Sequence, residues 1–327
     1  MATSGGKRGG PKGKGKKPSG PASKYSFEIF LGFVIFAIGG LIVLLSSGVI
    51  KDESEEPAPV VLKHAQPEPD KQKLLPFEEP YTYDDETPHK IIPPRPSAGG
   101  EPRIAIIIDD MGQEMQSAEA LLALDAPITF AILPHQRFSE KVARNAGEKG
   151  RVVMLHLPMQ PSTNAVSPGT GALLVTQSED EIVKLIDGDI QSVPGASGVN
   201  NHMGSKFTED EARMQTALKQ IKKHGLFFVD SRTSPKSVGY KDASKLEMPV
   251  AARDVFLDND RDVAKIESQI EKLVQIARKR GFAIGIGHPY HETIAALKAT
   301  VPALKSRGIK IVAVTELLSN GKQTVKK

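Results

Sequence analysis

Two adjacent carboxylates and a set of histidines are the residues with which this sequence could do chemistry. Asp109 and Asp110 follow five consecutive apolar residues, and four histidines stand at or near the ends of short apolar runs, at positions 135, 156, 202 and 288. One Asp and two His that leave coordination positions open form the ligand set of a catalytic divalent metal such as Zn²⁺. Carboxylates this close together raise the pKa of one of them unless a cation lies near. The pattern therefore favours a metal-dependent site.

Each of these residues also has a structural interpretation. An Asp at the end of a strand often only caps the following helix, and a single His there is more often a hydrogen-bonded core residue than a ligand. In a regular strand, side-chain alternation would also send Asp109 and Asp110 in different directions. Four histidines on one face of a fold shift the balance towards a site.

The elements that must position these residues are short β-branched strands that alternate with amphipathic helices. Strand patterns lie at 104–108, 128–132, 152–155, 197–200, 226–229, 253–257, 282–286 and 309–314, and helical patterns near 114–124, 138–149, 178–191, 208–224, 261–280 and 291–306. Two helices begin with capping boxes, Ser178 with Glu181 and Thr208 with Glu211. Strands that are apolar on both faces indicate a parallel sheet covered by helices. We predict an α/β fold, a distorted (β/α) barrel of seven or eight parallel strands, with an open doubly wound sheet as the alternative.

In either fold all strand carboxyl ends lie on one face, and that face holds the active site. Further polar residues end or follow the other predicted strands there: Asn200, Asn201, Asp230, Ser231, Arg232, Asp258 and Glu316, with Arg253 and Asp254 inside the sixth strand. We therefore expect one cluster of polar groups above the sheet.

The N-terminal hundred residues have a different composition from the rest. Residues 1–26 are read as a disordered basic tail, because the first 24 hold seven basic residues and no acidic one. An uncharged run of 22 residues, 29–50, predicts a transmembrane helix over 27–50. Basic residues before the helix and acidic residues after it place the N-terminus in the cytoplasm, at a bacterial inner membrane, with the domain outside. A cleaved signal peptide is the alternative.

The remaining boundaries follow from proline content and charge. Residues 51–100, with ten prolines, are predicted to be a stiff linker, residues 101–320 the folded domain, and 321–327 a tail. The chain has no cysteine, which excludes disulfides and thiolate metal sites. The net charge of +4 comes from the basic tail, so we expect no nucleic-acid partner.

The segment Ile106-Ile107-Ile108-Asp109-Asp110-Met111-Gly112 resembles the first motif of polysaccharide deacetylases, usually Thr-Phe-Asp-Asp-Gly. Segments 155–161, 198–205, 228–234 and 286–289 read Leu-His-Leu-Pro-Met-Gln-Pro, Gly-Val-Asn-Asn-His-Met-Gly-Ser, Phe-Val-Asp-Ser-Arg-Thr-Ser and Ile-Gly-His-Pro. In this order they resemble the divergent polysaccharide deacetylase family, over about residues 103–318. The resemblance implies a metal-dependent N-deacetylase on a barrel of the glycoside hydrolase/deacetylase type.

The resemblance also implies roles for single residues. Asp109 takes the place of the general base, Asp110 that of a metal ligand, and His288 that of the general acid. Ordinary members supply two metal histidines four residues apart, but here His156 is followed by Gln160, which is a poor zinc ligand. His202 is then expected to supply the missing imidazole. Arg232 or Arg253 would orient the base, and Asn200, Asn201, Asp230, Arg253 and Gln160 are expected to contact the substrate.

The function expected from the resemblance is a membrane-anchored periplasmic hydrolase that uses a divalent metal, zinc being the expected ion, to remove N-acetyl groups from a glycan of the cell envelope. A metalloesterase or phosphoesterase would use the same groups. Two other classes stay open because aromatic residues are scarce (5%, with no Trp) and Gln160 departs from the motif. They are a non-catalytic glycan-binding module and an envelope-assembly protein built on a degenerate barrel.

Overall fold

The computed structural model describes residues 100–319 of the chain. The predicted basic tail (1–26), transmembrane helix (27–50), nearly all of the linker (51–100) and the C-terminal tail (321–327) lie outside the described residues. Those interpretations therefore stay predictions. Within the described part, no helix has the length and apolar character needed to span a bilayer.

Strands and helices alternate along the described chain. The strands are β1 (Arg103–Met111), β2 (Thr129–Ile132), β3 (Val153–Met159), β4 (Gly198–Met203), β5 (Phe227–Asp230), β6 (Val250–Ala252), β7 (Val255–Phe256), β8 (Phe282–Gly287) and β9 (Lys310–Ile311). The α-helices are α1 (Met115–Leu122), α2 (Ser139–Glu148), α3 (Glu179–Ser192), α4 (Glu211–Lys223), α5 (Gly239–Lys245), α6 (Val263–Arg280) and α7 (His291–Ser306). Short 3₁₀ helices cover Phe207–Glu209 and Val314–Leu317.

The strands form one curled parallel sheet. Its order is β6-β5-β4-β3-β2-β1-β8-β7, and β9 pairs with the start of β1. All strand pairs between named strands are parallel. The strands follow chain order from β1 to β6, whereas the order reverses inside a doubly wound sheet. The barrel-like prediction is therefore confirmed, and the open doubly wound alternative is wrong.

The two end strands of the sheet, β6 and β7, are separated in the chain only by Arg253 and Asp254. The Arg253 N–H donates to the Asp230 carbonyl of β5 at 3.0 Å, and the Asp254 N–H donates to the Ile284 carbonyl of β8 at 2.8 Å. This dipeptide thus leads the chain from one sheet edge to the other. The single strand predicted over 253–257 is wrong for that reason.

Side chains of each strand alternate between an outer and an inner apolar cluster. In β1, Ile106 and Ile108 belong to the outer cluster, which contains the buried faces of the helices, while Ile107 belongs to the inner cluster. The inner cluster also includes Met154, Val229, Phe256, Ile284, Ile286, Val314 and Leu317. The curled sheet is therefore filled by side chains and is not a pore.

Local signals at the helix starts were partly correct. The Ser178–Glu181 capping box is present at α3, as predicted. The Thr208–Glu211 box is wrong, because the Thr208 hydroxyl donates to the Gly204 carbonyl at 2.8 Å inside a 3₁₀ turn. Asp210 caps α4 instead, accepting from the Arg213 N–H at 2.9 Å. Helix α5 was not predicted.

Candidate metal centre

The inward register of the strands places the chemical side chains at one end of the inner cluster. Asp109, His156 and His288 each lie two residues beyond an inner-cluster residue of their strand, namely Ile107, Met154 and Ile286. Asn200 pairs with His156, and His202 with Pro158, across β3 and β4. Since residues two apart share a face of the sheet, these side chains converge above the apolar interior.

Asp110 reaches the same place by a backbone kink. Its φ of 55° is left-handed, a conformation that Asp tolerates better than most residues, and β1 is irregular between Ile108 and Met111. The kink brings Asp110 Oδ1 to 3.3 Å from His156 Nε2 and 3.0 Å from His202 Nδ1. The expectation that alternation separates Asp109 from Asp110 is therefore wrong.

Asp110, His156 and His202 present three ligand atoms to one another. His156 Nε2 and His202 Nδ1 lie 3.2 Å apart, so the triangle has sides of 3.0, 3.2 and 3.3 Å. Ligands about 2.1 Å from a tetrahedral zinc lie about 3.4 Å from each other. The two imidazole side chains are 1% exposed and the carboxylate 13%. Donor types, spacing and burial thus fit a divalent ion held by these three residues with a coordination position left open.

Asn200 sets the chemical state of His156. Its Nδ2 donates to Asp109 Oδ1 at 2.8 Å and to Ser231 Oγ at 3.2 Å, so its Oδ1 is the acceptor that faces His156 Nδ1 at 2.9 Å. His156 therefore carries a proton on Nδ1, and in the neutral imidazole the lone pair of Nε2 points towards Asp110 and His202. Such outer partners commonly orient metal-binding imidazoles.

The pKa values of the two carboxyl groups, Asp109 and Asp110, shift in opposite directions. Burial raises the pKa of Asp109 above its ordinary value, against the lowering effect of His156, His288 and the Asn200 hydrogen bond. Burial also acts to raise the pKa of Asp110, but the charge of His202 and hydrogen bonds from His156 and His202 outweigh it, and the pKa lies well below its ordinary value. A low pKa suits a ligand and a raised one suits a base.

His288 is held by a residue that follows β7. Its Nδ1 lies 2.9 Å from Asp258 Oδ1, while Asp258 Oδ2 accepts from the His288 N–H at 2.5 Å and from the Thr293 hydroxyl at 2.7 Å. Burial acts to lower the pKa of His288, but the charge and hydrogen bond of Asp258 outweigh it and raise the pKa to about 10. The imidazolium form therefore persists at neutral pH.

Tyr290 covers one face of His288. The two rings stack with centroids 5.4 Å apart at 29°, and the Arg261 guanidinium lies 3.7 Å above the tyrosine ring. Burial is the main cause that raises the pKa of Tyr290 to about 12. The ring of Tyr290 is thus already engaged by His288 and by Arg261, which does not favour a role as a stacking platform for a sugar.

Two of the residues predicted to contact substrate instead support the site. Asn200 and Asn201 are fully buried, and Asn201 accepts from the Ser231 N–H at 2.9 Å and donates to the Met203 carbonyl at 2.8 Å. Gln160 Oε1 accepts from the Val175 N–H at 3.0 Å, which pins the loop after β3. These amides are hydrogen-bonded within the protein, and substrate contact by Asn200 and Asn201 stays a prediction.

The remaining predicted residues surround the turn after β5. Asp230 Oδ1 accepts from the Arg232 N–H at 2.9 Å, and Arg253 donates to the carbonyls of Ser231 and Arg232 at 2.7 and 2.9 Å. Both Asp230 and Arg253 are buried, at 1% and 4% exposure, so direct substrate contact by either is not supported. The Arg232 guanidinium forms no ion pair with Asp109 within residues 100–319, and it is Asn200 that orients this carboxylate.

Two residues outside the predicted set stand out. His135, counted among the strand-end histidines, pairs with Asp189 of α3 at 2.8 Å instead of joining the metal ligands. Asp258 was noted only as a strand-end residue, although it holds His288 through both oxygens. Its partner lies thirty residues further along the chain, so no local pattern links the two.

Comparisons with known proteins identify a family and several relatives. The family model for divergent polysaccharide deacetylases matches residues 106–318. The chain is 34% identical to the uncharacterized protein YibQ of Escherichia coli (strain K12), over 66% of this chain and 67% of YibQ. It is also 34% identical to an uncharacterized protein of Haemophilus influenzae, over 67% of this chain and 78% of that protein.

A solved structure extends the likeness to three dimensions. The uncharacterized protein ATU2773 from Agrobacterium tumefaciens C58 aligns with a TM-score of 0.64 and 25% identity, over 68% of this chain and 91% of that one. The family match covers almost the whole described domain, including both carboxylates and all three histidines of the site. The chain belongs to the divergent polysaccharide deacetylase family.

Proposed function

We propose that this chain is a metal-dependent hydrolase that removes N-acetyl groups from a glycan of the cell envelope. The observation that carries the proposal is the triangle of Asp110, His156 and His202, which lies beside a buried carboxylate of raised pKa and interacts with a protonated histidine. Amide hydrolysis requires a base for water and an acid for the departing amine. Asp109 and His288 are matched to these two tasks.

Asp110, His156 and His202 would hold the divalent ion, which would supply Lewis acidity towards a water molecule and the acetyl carbonyl. Asp109 Oδ2, 3.6 Å from His156 Nε2, takes the water proton, and its raised pKa makes it a stronger base. His288 Nδ1 is engaged by Asp258, so Nε2 is the atom that gives a proton to the amine nitrogen. Asn200 keeps Asp109 and His156 in register throughout.

Acetate release from hexa-N-acetylchitohexaose by the full-length chain tests this proposal. Asp109→Asn and His288→Gln should each lower the rate by about 10²-fold or more while about one zinc per chain is retained. Asp110→Ala should lose both the metal and the activity. A wild-type chain that binds zinc but releases no acetate from this or from O-acetylated substrates would sink the hydrolase proposal.

A glycan-binding module is the second candidate, and Gln160 favours it. Its side chain fills the position of a histidine in ordinary members and is bonded to the backbone of Val175. In that case Asp109→Asn and His288→Gln would leave glycan binding unchanged, and no acetate would appear with any variant. The two candidates are therefore separated by the same set of proteins.

We also propose that residues 27–50 anchor the domain on the outer side of a bacterial inner membrane. The support is the uncharged run of 22 residues behind seven basic ones. Because the chain has no cysteine, Gly100→Cys offers a unique label site. Labelling of intact spheroplasts by a membrane-impermeant maleimide is the expected result, and labelling only after lysis would contradict it.

A further inference from the structure

Arg232, at the end of β5, has a backbone that a bulky side chain rarely adopts. Its φ is 51°, in the left-handed region. Non-glycine residues persist there only where the surrounding structure enforces it, and such positions cluster at functional sites. The contacts that hold this conformation indicate the role of the turn.

Two buried charged side chains hold the Arg232 backbone on both sides. Asp230 accepts its N–H at 2.9 Å, and Arg253 donates to its carbonyl at 2.9 Å and to the Ser231 carbonyl at 2.7 Å. The second oxygen of Asp230 accepts from the Ser237 hydroxyl at 2.8 Å and the Tyr240 N–H at 3.0 Å. Charged groups this buried are costly, and both of these bond to the backbone of Arg232.

The side chain so positioned has no protein partner. Arg232 is half-buried, and within residues 100–319 its guanidinium makes no hydrogen bond or ion pair. The preceding residue, Ser231, is bonded at 3.2 Å to Asn200, which holds Asp109 at 2.8 Å. An arginine next in sequence to this hydrogen-bonded chain, with its fork of donors unused within the described domain, is suited to a carboxylate or phosphate.

The neighbouring loops have the same sign of charge. We term three residues the basic rim: Lys206, Arg232 and Lys236. They lie on loops 204–208 and 231–238, which contain no Asp or Glu. The Val238 N–H donates to the Thr208 carbonyl at 2.9 Å, which ties the two loops together. Both lysines are exposed and form no ion pair in the described domain.

Charges on other loops do not cancel the basic rim. The next acid after Thr208, Glu209, accepts the Ser234 hydroxyl at 2.5 Å. Loop 160–178, whose Gln160 carbonyl accepts the Lys206 N–H at 3.1 Å, contains no charged residue. The acids Asp258, Asp260 and Asp262 follow β7 instead. The loops beyond β4 and β5 therefore attract anions.

We infer that Arg232 is a substrate-binding residue and that the glycan taken by this site is acidic, with carboxylate groups along its N-acetylated chain. This rests on the proposed function, since it places a glycan over the metal centre. It also gives Asp230 and Arg253 the role of positioning Arg232. Lys206 and Lys236 add charge at the entrance.

Binding of two matched tetrasaccharides to the full-length chain tests the inference. One is (N-acetylglucosamine–N-acetylmuramic acid)₂, which carries carboxylates, and the other is neutral tetra-N-acetylchitotetraose. Calorimetry should show the acidic sugar binding about tenfold tighter, and Arg232→Gln should reduce the preference to less than about twofold. Arg232→Lys should keep part of it, because the charge remains while the planar fork is lost.

Arg144→Gln is the matched control, because Arg144 is an exposed arginine of α2 paired with Glu140. It should change neither affinity. The melting temperature of Arg232→Gln should stay close to that of the wild type, since the guanidinium makes no hydrogen bond or ion pair with residues 100–319. Equal wild-type affinity for the two sugars, or a preference that survives Arg232→Gln, would overturn the inference.

Acetate release separates the two proposals. Equal release from both sugars supports the hydrolase proposal and contradicts the acidic-glycan inference. Binding of the acidic sugar through Arg232 without any acetate release supports the acidic-glycan inference and contradicts the hydrolase proposal.

Discussion

At the scale of single residues, the buried amide of Asn200 links the two halves of the site. It accepts from His156 and donates to Asp109, so the same side chain orients both the proposed metal ligand and the proposed base. Neither task requires a charge. An aspartate at this position would offer two acceptors and would face Asp109 with like charge, so the amide is the chemistry the position needs.

We predict that Asn200→Ala weakens metal binding by about 10–100-fold, because the proton on His156 Nδ1 loses its acceptor and the ring loses its orientation. Competition with a chromophoric zinc chelator measures this. Asn145→Ala, on the outer helix α2, is the control and should leave the affinity unchanged. Unaltered zinc affinity in Asn200→Ala would show that the amide does not set the state of His156.

The sequence predicted which residues form the site better than it predicted the contacts that surround them. The chain shows Asp110, His156 and His202 at strand ends, the resemblance to deacetylases implies that they are metal ligands, and the structure brings them together. The work of Asn200, Asp230 and Arg253 depends on which strands are neighbours and in what register, which no single-chain pattern contains. The kink at Asp110 is similar, since periodicity alone assumes a regular strand.

At the scale of elements, helix α4 shows how a capping signal can be misplaced. Thr208 and Glu211 have the spacing of a capping box, but the 3₁₀ helix at Phe207–Glu209 uses the threonine, and the α-helix begins after Asp210. The chain contained two acceptable caps two residues apart. In the folded chain Asp210 is the cap, and the carbonyl of Thr208 accepts from the Val238 N–H.

We predict that Asp210→Ala lowers the free energy of unfolding by about 0.5–2 kcal/mol, because the Arg213 N–H loses its cap. Glu211→Ala should cost less than about 0.5 kcal/mol, since this carboxylate only pairs with the exposed Lys245. Urea unfolding of both variants measures the difference. Equal losses would mean that the helix start is assigned to the wrong residue.

Helix α3 carries a carboxylate that contacts the loop after β2. Asp189 is fully buried, one oxygen lies 2.8 Å from His135 Nε2, and the other has no hydrogen-bond partner among the described residues. Burial raises the pKa of Asp189 from 3.8 to about 8. A carboxyl whose pKa is raised on folding contributes stability at low pH that is lost as the pH rises towards the folded-state pKa.

Asp189→Asn should therefore be more stable than the wild type at pH 8–9, by on the order of 1–3 kcal/mol, with a difference that shrinks towards pH 4. The amide keeps the shape of the side chain and cannot ionise. Thermal unfolding of both proteins across this pH range is the measurement. A variant less stable than the wild type at pH 9 would show that the His135 contact holds the carboxylate in its charged form.

At the scale of the whole molecule, the curled sheet separates stability from chemistry by register. Inward side chains form the apolar interior along most of each strand. Two positions further on, still on the inward face, stand Asp109, His156 and His288. The alternation of strands and helices predicted a parallel sheet covered by helices, and the strand order then decided for the barrel-like sheet over the doubly wound one. How the curl is bridged was not predictable, because Arg253 and Asp254 bond to β5 and β8, which lie far apart in the chain.

This arrangement links metal binding to global stability. The ligands come from β1, β3 and β4, and an ion held by all three binds the folded chain and not the unfolded one. Zinc at 100 times its dissociation constant should then stabilise the domain by about 2.7 kcal/mol. We expect the melting temperature of the chelator-treated full-length chain to rise with zinc concentration, and the rise to vanish in Asp110→Ala. His135→Ala, which removes a histidine outside the centre, should keep the full zinc response, and its loss there would place the ion elsewhere.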